Sequence, residues 1–354
     1  MIGKQKAEGR RQKARTLGLC LFCFLLSAFC LAKNGAYKAT GHARQSCVQC
    51  HDQHGTRDDP CIACHMNGDI SRSAHAQSQC DDCHDPHGVR DAQGVIAALL
   101  TERPARLCVR CHDDIRSALS DPYVHAAACS DCHNAHKVMK DPAPSSADSS
   151  NNRLAGVSRV EVVNGGAGVT PVYRLAAADD PGDPLEYEVC FKCHSSYTKQ
   201  RIGQTDLARL TNPANASFHP IQAAGRDARI DPQSFVNGFA ADSRVTCSDC
   251  HAPHGGSYRY LLKKLQDDGC FECHLRDAYT ANAPGSRFAG HTLHAGIQRL
   301  QCSACHDPHG SVRNGALIAT GRFPGINTYI RTPAGGTCTS SCHGMQTYTT
   351  SYPR

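Results

Sequence analysis

The sequence predicts a protein of short helices and irregular loops, with one small β-hairpin in its middle, rather than a fold with a conventional apolar core. Its 354 residues would allow one to three domains. Only 6% of them are aromatic and none is Trp, which is little bulky apolar material for this length. The chain has 23 cysteines and 21 histidines instead, so we expect these residues to organise the structure.

Residues 1–32 are predicted to be an export signal. Six Lys and Arg residues precede an apolar run from Leu17 to Ala32, which is short for a transmembrane helix. A cleaved secretory signal is favoured over a lipoprotein anchor at Cys30 or an uncleaved anchor, because Phe29 is unusual before a lipidated cysteine. Without this segment 32 basic and 31 acidic residues remain, so the charge does not predict nucleic-acid binding.

The other 20 cysteines form ten pairs, each followed at once by a histidine. Nine pairs read CXXCH and the tenth reads CX3CH. CXXCH is the attachment pattern of c-type haem, because thiols one helical turn apart can bond one haem edge while the histidine reaches the iron. The predicted attachment residues are Cys47, Cys50, Cys61, Cys64, Cys80, Cys83, Cys108, Cys111, Cys129, Cys132, Cys190, Cys193, Cys247, Cys250, Cys270, Cys273, Cys302, Cys305, Cys338 and Cys342. The predicted proximal ligands are His51, His65, His84, His112, His133, His194, His251, His274, His306 and His343.

Two other uses of paired cysteines fit less well. A disulfide framework suits an exported protein, and cysteine pairs can bind zinc, but neither needs a histidine after every second cysteine. The sequence therefore predicts a multihaem cytochrome c with haems in place of an apolar core and ten covalently attached haems c. For the CX3CH cysteines, a disulfide or two free thiols remain alternatives to haem attachment. Haem propionates would make the loaded protein acidic.

The 11 remaining histidines match the ten distal ligands that bis-histidine haems would need. The chain repeats one unit five times: an upstream histidine, a first motif that continues as CXXCHxxH, and a second motif. The histidine that closes CXXCHxxH is called the post-motif histidine below. The upstream histidines are His42, His75, His125, His219 and one of His291 and His294, with His294 carried as the candidate and the other as surplus. The post-motif histidines are His54, His87, His136, His254 and His309.

Each post-motif histidine is expected to bind a neighbouring haem, because it cannot cross to the opposite face of its own haem within three residues. Pro precedes it in three repeats and Gly follows it in four, which predicts a helix end and a tight turn. Methionine is a poor candidate ligand, since only Met66, Met139 and Met345 lie beyond the export segment. Bis-histidine ligation without methionine favours low reduction potentials.

The haem motifs divide the chain into three predicted regions. Residues 33–140 hold five motifs, residues 141–246 hold one, and residues 247–354 hold four. The middle region opens with a turn-rich, linker-like run, DPAPSSADSSNN. Two β-rich runs around Asn164-Gly165-Gly166 then predict a hairpin over residues 159–175, either a cover for haem edges or a docking element.

The repeat, clearest in CDDCHDPHG, CSDCHAPHG and CSACHDPHG, resembles the doubled-CXXCH-motif multihaem cytochromes over about residues 42–343. The resemblance implies an electron carrier without catalytic residues, in the periplasm or at the cell surface, of the kind found in metal-reducing bacteria. Its implied partners are other redox proteins, an outer-membrane porin–cytochrome complex, extracellular metal oxides, or further copies in a filament. The alternative is a reductase of nitrite, hydroxylamine or a sulfur oxyanion. That function needs one open haem, for which the CX3CH site at His343 is the candidate.

Overall fold

The computed structural model describes residues 40–46, 49–52, 55–56, 61, 64–65, 70–139, 152–182, 184–198, 205–227, 230–281 and 285–350. The predicted export segment, nearly all of the linker-like run, Cys47 and His54 lie outside the described residues. Within the described ranges, no helix combines the length and the apolar character needed to cross a bilayer.

The helices are short, as the sequence predicts. The described residues contain nine α-helices: α1 (Cys80–Cys83), α2 (Pro104–Leu107), α3 (Asp113–Ala118), α4 (Cys129–Cys132), α5 (Glu186–His194), α6 (Leu207–Leu210), α7 (Cys247–Cys250), α8 (Gln266–Cys270) and α9 (Arg276–Thr280). Single-turn 3-10 helices cover Gly41–Arg44, Ile70–Arg72, Ala97–Leu99, Cys108–Arg110, Asn152–Leu154, Pro232–Ser234, Arg259–Leu261 and Cys302–Ala304, and a π-helix covers Thr292–Ile297.

Three first motifs fold into one helical turn each, because the motif carries its own cap. In α1, α4 and α7 the residue before the second cysteine is an aspartate, whose carboxylate accepts the backbone N–H just before the helix at 2.7–2.9 Å. The helix ends at the proximal histidine, which has extended backbone angles in all three. The chain therefore leaves the helix direction at the proximal histidine, the residue whose imidazole is predicted to bind the haem iron.

The strands form small antiparallel sheets. They are β1 (His51–Asp52), β2 (Gly55–Thr56), β3 (Arg90–Asp91), β4 (Gly94–Val95), β5 (Tyr123–Val124), β6 (Arg159–Val163), β7 (Val172–Ala176), β8 (Ser217–Phe218), β9 (Gly255–Gly256), β10 (Gly310–Ser311), β11 (Ile326–Thr332), β12 (Gly335–Ser340) and β13 (Gln346–Thr349). The pairs are β1–β2, β3–β4, β5–β9, β6–β7 and β8–β10, and the last three strands form one sheet in the order β11–β12–β13.

The predicted hairpin is present as β6 and β7, paired from Arg159 with Ala176 to Val163 with Val172. Its inner side belongs to the apolar core of the middle region, where Val160 and Ala176 are fully buried. The other buried apolar residues of this region are Leu154, Ala155, Val157, Val189, Phe191, Ala208 and Ile221. This stretch holds most of the buried apolar residues in the described part of the chain, although it has only one haem motif.

Two compact units divide the chain. One consists of residues up to 71 together with residues 75–112, and the other of residues 72–74 together with residues from 113 onward. The first unit contains β1 to β4, α1 and α2, and the second contains the remaining helices and strands of the described chain. The division into three regions, 33–140, 141–246 and 247–354, stays a prediction.

Candidate haem-binding sites

Nine predicted proximal histidines each have the imidazole of another histidine opposite their own. The ring centroids of every pair are 5.8–6.5 Å apart. The pairs are His42–His65, His51–His87, His75–His112, His125–His194, His133–His254, His219–His274, His251–His309, His291–His306 and His294–His343.

This separation fits one metal ion between two imidazoles. With a metal–nitrogen bond of about 2 Å on each side, the two ring centres lie about 6 Å apart. Two cysteines accompany the proximal imidazole in every motif, so the donor set of each site is that of a covalently attached haem with two axial histidines. The residues therefore fit haem c, and we treat the pairs as candidate bis-histidine sites.

The pairing follows one rule. The proximal histidine of a second motif faces the upstream histidine of its own repeat, as His65 faces His42. The proximal histidine of a first motif faces the post-motif histidine of the next repeat. His51–His87, His133–His254 and His251–His309 are the described examples. In these three pairs the post-motif histidine lies opposite the proximal histidine of a motif other than its own, and its role as a ligand of that haem stays a prediction.

In the fifth repeat the first motif departs from this rule. There His306 faces His291 and His343 faces His294. His294 lies in the π-helix Thr292–Ile297 and His291 directly precedes it, so one element supplies an imidazole to each site. Both histidines thus lie opposite a proximal imidazole, whereas the sequence assigned a site to only one of them. The candidate roles of His54, which lies outside the described residues, and of His84 and His136 stay predictions.

Two short strand pairs place the distal candidates side by side. The backbone N–H of His125, next to β5, donates to the carbonyl of His254, next to β9, at 3.1 Å. The N–H of His219, next to β8, donates to the carbonyl of His309, next to β10, at the same distance. Each strand pair thus holds an upstream histidine beside the post-motif histidine of the following repeat.

The glycines after the post-motif histidines have two different roles. Gly88 has φ of 79° and makes the expected turn. Gly255 and Gly310 lie instead in β9 and β10, where an added Cβ would be 2.1 Å and 2.0 Å from a carbonyl oxygen of the neighbouring chain segment. The expected tight turn is therefore wrong at these two positions, where glycine permits close approach of two backbones.

Left-handed turns hold several proximal imidazoles, and sequence reasoning missed them. The Nδ1 atoms of His84, His251 and His306 lie 2.8–3.0 Å from the carbonyl oxygens of Ala98, Tyr260 and Ala316. Each acceptor and the leucine after it have φ between 53° and 60°. A carbonyl accepts only from Nδ1–H, so Nε2 remains the metal-binding nitrogen. The sequence signal that could have indicated these turns is a short apolar run after the first motif. It reads ALL in the second repeat, YLL in the fourth and ALI in the fifth.

Burial keeps the central imidazoles neutral, as metal ligation requires. It lowers the pKa of His219 and of His291 to about 4, with smaller contributions from neighbouring histidines. Burial also lowers the pKa of His274 and His306. These imidazoles therefore stay uncharged at neutral pH.

The tenth motif is not helical, contrary to the expectation for haem motifs. Cys338 lies within β12, paired with Tyr329 on one side and Gln346 on the other. The chain turns only after Ser340, whose hydroxyl accepts the backbone N–H groups of Cys342 and His343 at 3.2 and 3.1 Å. The tenth motif, which has one extra residue between its cysteines, therefore forms a strand followed by a turn. Several other motifs form one helical turn instead.

Comparisons with known proteins identify relatives. The family described as Doubled CXXCH motif matches residues 73–117, 239–279 and 294–325. The multiheme cytochrome MtrA of Shewanella baltica (strain OS185) is 27% identical over 269 residues, which are 71% of this chain. The chain spans 60% of the length of that relative.

Proposed function

We propose that this chain, which matches the Doubled CXXCH motif family in three segments and is similar to a multiheme cytochrome, carries electrons along a row of ten covalently attached haems c. Haem supplies the iron that gains and loses the electron. The chain's own residues would hold each haem through two cysteines and two histidines, and they determine which motifs are neighbours. The 20 predicted cysteines would be the attachment points, and the predicted proximal and distal histidines would be the iron ligands, with His291 added to the distal set.

The contacts between cysteines of successive motifs carry this proposal. The thiols of Cys61 and Cys80 are in hydrogen-bond contact, as are those of Cys190 and Cys247. The sulfur atoms of Cys270 and Cys302 lie within 4.8 Å of each other. Each of these contacts joins the second motif of one repeat to the first motif of the next.

Within a repeat, the two motifs are also neighbours. Burial raises the pKa of the Cys83, Cys132, Cys250 and Cys305 thiols, and the nearby thiols of Cys111, Cys190, Cys273 and Cys338 respectively raise it further, so the two cysteines of each pair lie close together. Each of these contacts therefore links motifs that are consecutive in the sequence. Because the rate of electron tunnelling falls steeply with distance, this order supports a path from motif to motif within each of the two compact units.

The paired imidazoles favour a carrier over an enzyme. An iron with histidine on both faces has no open position for a substrate, and a distal pocket decides between binding and electron transfer. The candidate exception from the sequence was the CX3CH site, but there His294 lies opposite His343.

We further propose that the protein is exported and works in the periplasm or at the cell surface, in electron transfer linked to metal reduction. Its partners would be other redox proteins, a porin–cytochrome complex or extracellular metal oxides. The predicted export segment and the resemblance to cytochromes of this type support the location. Self-assembly into filaments would add a further partner, a second copy of the chain.

Electron paramagnetic resonance of the oxidised holoprotein tests the proposal. The spectrum is quantified by spin state, with and without added nitrite or hydroxylamine, and the His294→Ala variant serves as a control with one deliberately opened site. We expect all iron in the wild-type protein to be low-spin and unaffected by either addition. If about one haem in ten is high-spin and shifts with added ligand, the reductase function replaces the carrier function.

A further inference from the structure

Asp307 contacts both the backbone and the ring of His309. Its Oδ1 atom accepts the backbone N–H of His309 at 3.0 Å and lies 3.2 Å from the ring Nδ1. Its Oδ2 atom accepts a hydrogen bond from Arg322. The side chains of Asp307 and His309 are only 17% and 30% exposed, so water competes weakly for these groups. A carboxylate therefore contacts the outer nitrogen of an imidazole that faces His251.

In the second, third and fourth repeats the position two residues before the post-motif histidine is occupied by Asp85, Asn134 and Ala252. Asp85 accepts the backbone N–H of His87 at 2.9 Å, but its carboxylate is 3.6 Å from the ring Nδ1, which is too long for a hydrogen bond. Asn134 makes the same backbone contact at 3.0 Å without a charge. In the fourth repeat Ala252 occupies the position and has no polar side chain.

We infer that Asp307 is a positioning residue that lowers the reduction potential of the haem at Cys247, Cys250 and His251. The inference rests on the proposed function, in which His309 is the distal ligand of that haem. A carboxylate that accepts Nδ1–H makes the imidazole a stronger donor, as in other carboxylate–histidine–metal arrangements. The stronger donor stabilises ferric over ferrous iron, so the potential falls.

The next site along the path has the opposite environment. The Nδ1 atom of His274 is buried and has no hydrogen-bond partner among the described residues. His274 is therefore a weaker donor than His251, whose Nδ1 lies 2.8 Å from the carbonyl of Tyr260. By itself, this difference between the two proximal histidines raises the potential of the haem at His274 relative to that at His251.

The Asp307→Asn variant of the holoprotein tests the inference by redox titration monitored by electron paramagnetic resonance. Asparagine removes the charge but keeps the backbone contact, as Asn134 demonstrates in the third repeat. The His309→Ala variant identifies the relevant signal, which is the low-spin signal missing from its spectrum. We expect that signal to disappear at a higher potential in Asp307→Asn than in the wild-type protein, while the protein stays fully low-spin.

Two further variants make the test specific. Asp85→Asn is the matched control, because the Asp85 carboxylate does not reach the ring of His87; its shift should be smaller. Ala252→Asp adds a carboxylate in the fourth repeat and should lower the potential of the haem between His133 and His254. Unchanged potentials in both Asp307→Asn and Ala252→Asp overturn the inference. If His309→Ala leaves every haem low-spin, the ligand assignment itself fails, so the two failures are distinguishable.

Discussion

The backbone N–H of His219 donates a 3.1 Å hydrogen bond to the carbonyl oxygen of His309, and so joins the fourth repeat to the fifth. The bond between His125 and His254 joins the third repeat to the fourth in the same way. Because the first-motif histidines of the third and fourth repeats face an imidazole from the following repeat, neither of these repeats alone supplies both of its histidine pairs. The repeats therefore stabilise one another through their neighbours, as in other repeat proteins.

Substituting Gly310 tests this connection. In Gly310→Ala the new Cβ would lie 2.0 Å from the carbonyl oxygen of Leu210, at the end of α6, and 3.3 Å from that of Ser217 in β8, so β10 must move and its pairing with β8 is disturbed. We expect both haems that depend on this strand pair, those at His251 and His274, to lose their uniform low-spin signals in electron paramagnetic resonance.

The matched control is Gly315→Ala, in the same repeat. There the nearest atom to an added Cβ is the end of the Arg331 side chain at 3.3 Å, which can move away. This variant should keep the wild-type spectrum. A Gly310→Ala spectrum identical to that of Gly315→Ala would show that the strand pair does not position the two histidines.

Separate replacement of His291 and His294 tests the arrangement at the π-helix. Each faces a different proximal histidine, so each alanine variant should convert one haem to high-spin, and the double variant should convert two. Leu293→Ala is the control, because Leu293 lies on the same helix and is 49% exposed. Should one of the two single variants retain a fully low-spin spectrum, that histidine is the surplus one after all.

Removal of the CX3CH cysteines tests the haem count. The intact mass of the mature holoprotein should correspond to ten haems, and the Cys338→Ser, Cys342→Ser double variant should lose the mass of one. The reason is that neither serine can form a thioether to haem. A wild-type mass with eight or fewer haems would contradict the interpretation of the motifs.

The hairpin offers a comparison between a buried and an exposed arginine. Arg159 is buried, donates to the carbonyls of Gly182 and Pro181 at 3.0 and 2.8 Å, and lies 3.6 Å from the carboxylate of Glu188. Arg159→Leu leaves the Glu188 carboxylate, which is only 13% exposed, without the neighbouring guanidinium and should destabilise the hairpin by about 3–5 kcal/mol.

Arg174 is the control on the opposite strand. It pairs with Glu161 and Asp180 but is 58% exposed, so Arg174→Leu should cost no more than about 1 kcal/mol. Hydrogen exchange of the amides in β6 and β7 measures both free energies of opening. Equal losses of protection in the two variants would exclude the stabilising role given to the buried arginine.

The features that depend on local spacing could be predicted from the sequence. The paired cysteines, the histidine after each pair and the five-fold repeat are contiguous patterns, and these patterns are enough to identify the candidate sites. The short helices at the first motifs and the hairpin around Asn164-Gly165-Gly166 follow from helix capping and turn chemistry within a few residues. The three-stranded sheet that contains Cys338 was missed, because its residues were interpreted through the motif alone.

Only the tertiary structure decided which histidine faces which. That outcome depends on contacts between residues far apart in the chain, such as Tyr123–Val124 with Gly255–Gly256, and on left-handed backbone at residues such as Ala316 that carry no glycine signal. The sequence by itself determined that every motif has an imidazole available. The partner of each imidazole was decided by hydrogen bonds between separate segments, whose register cannot be read from spacing within one segment.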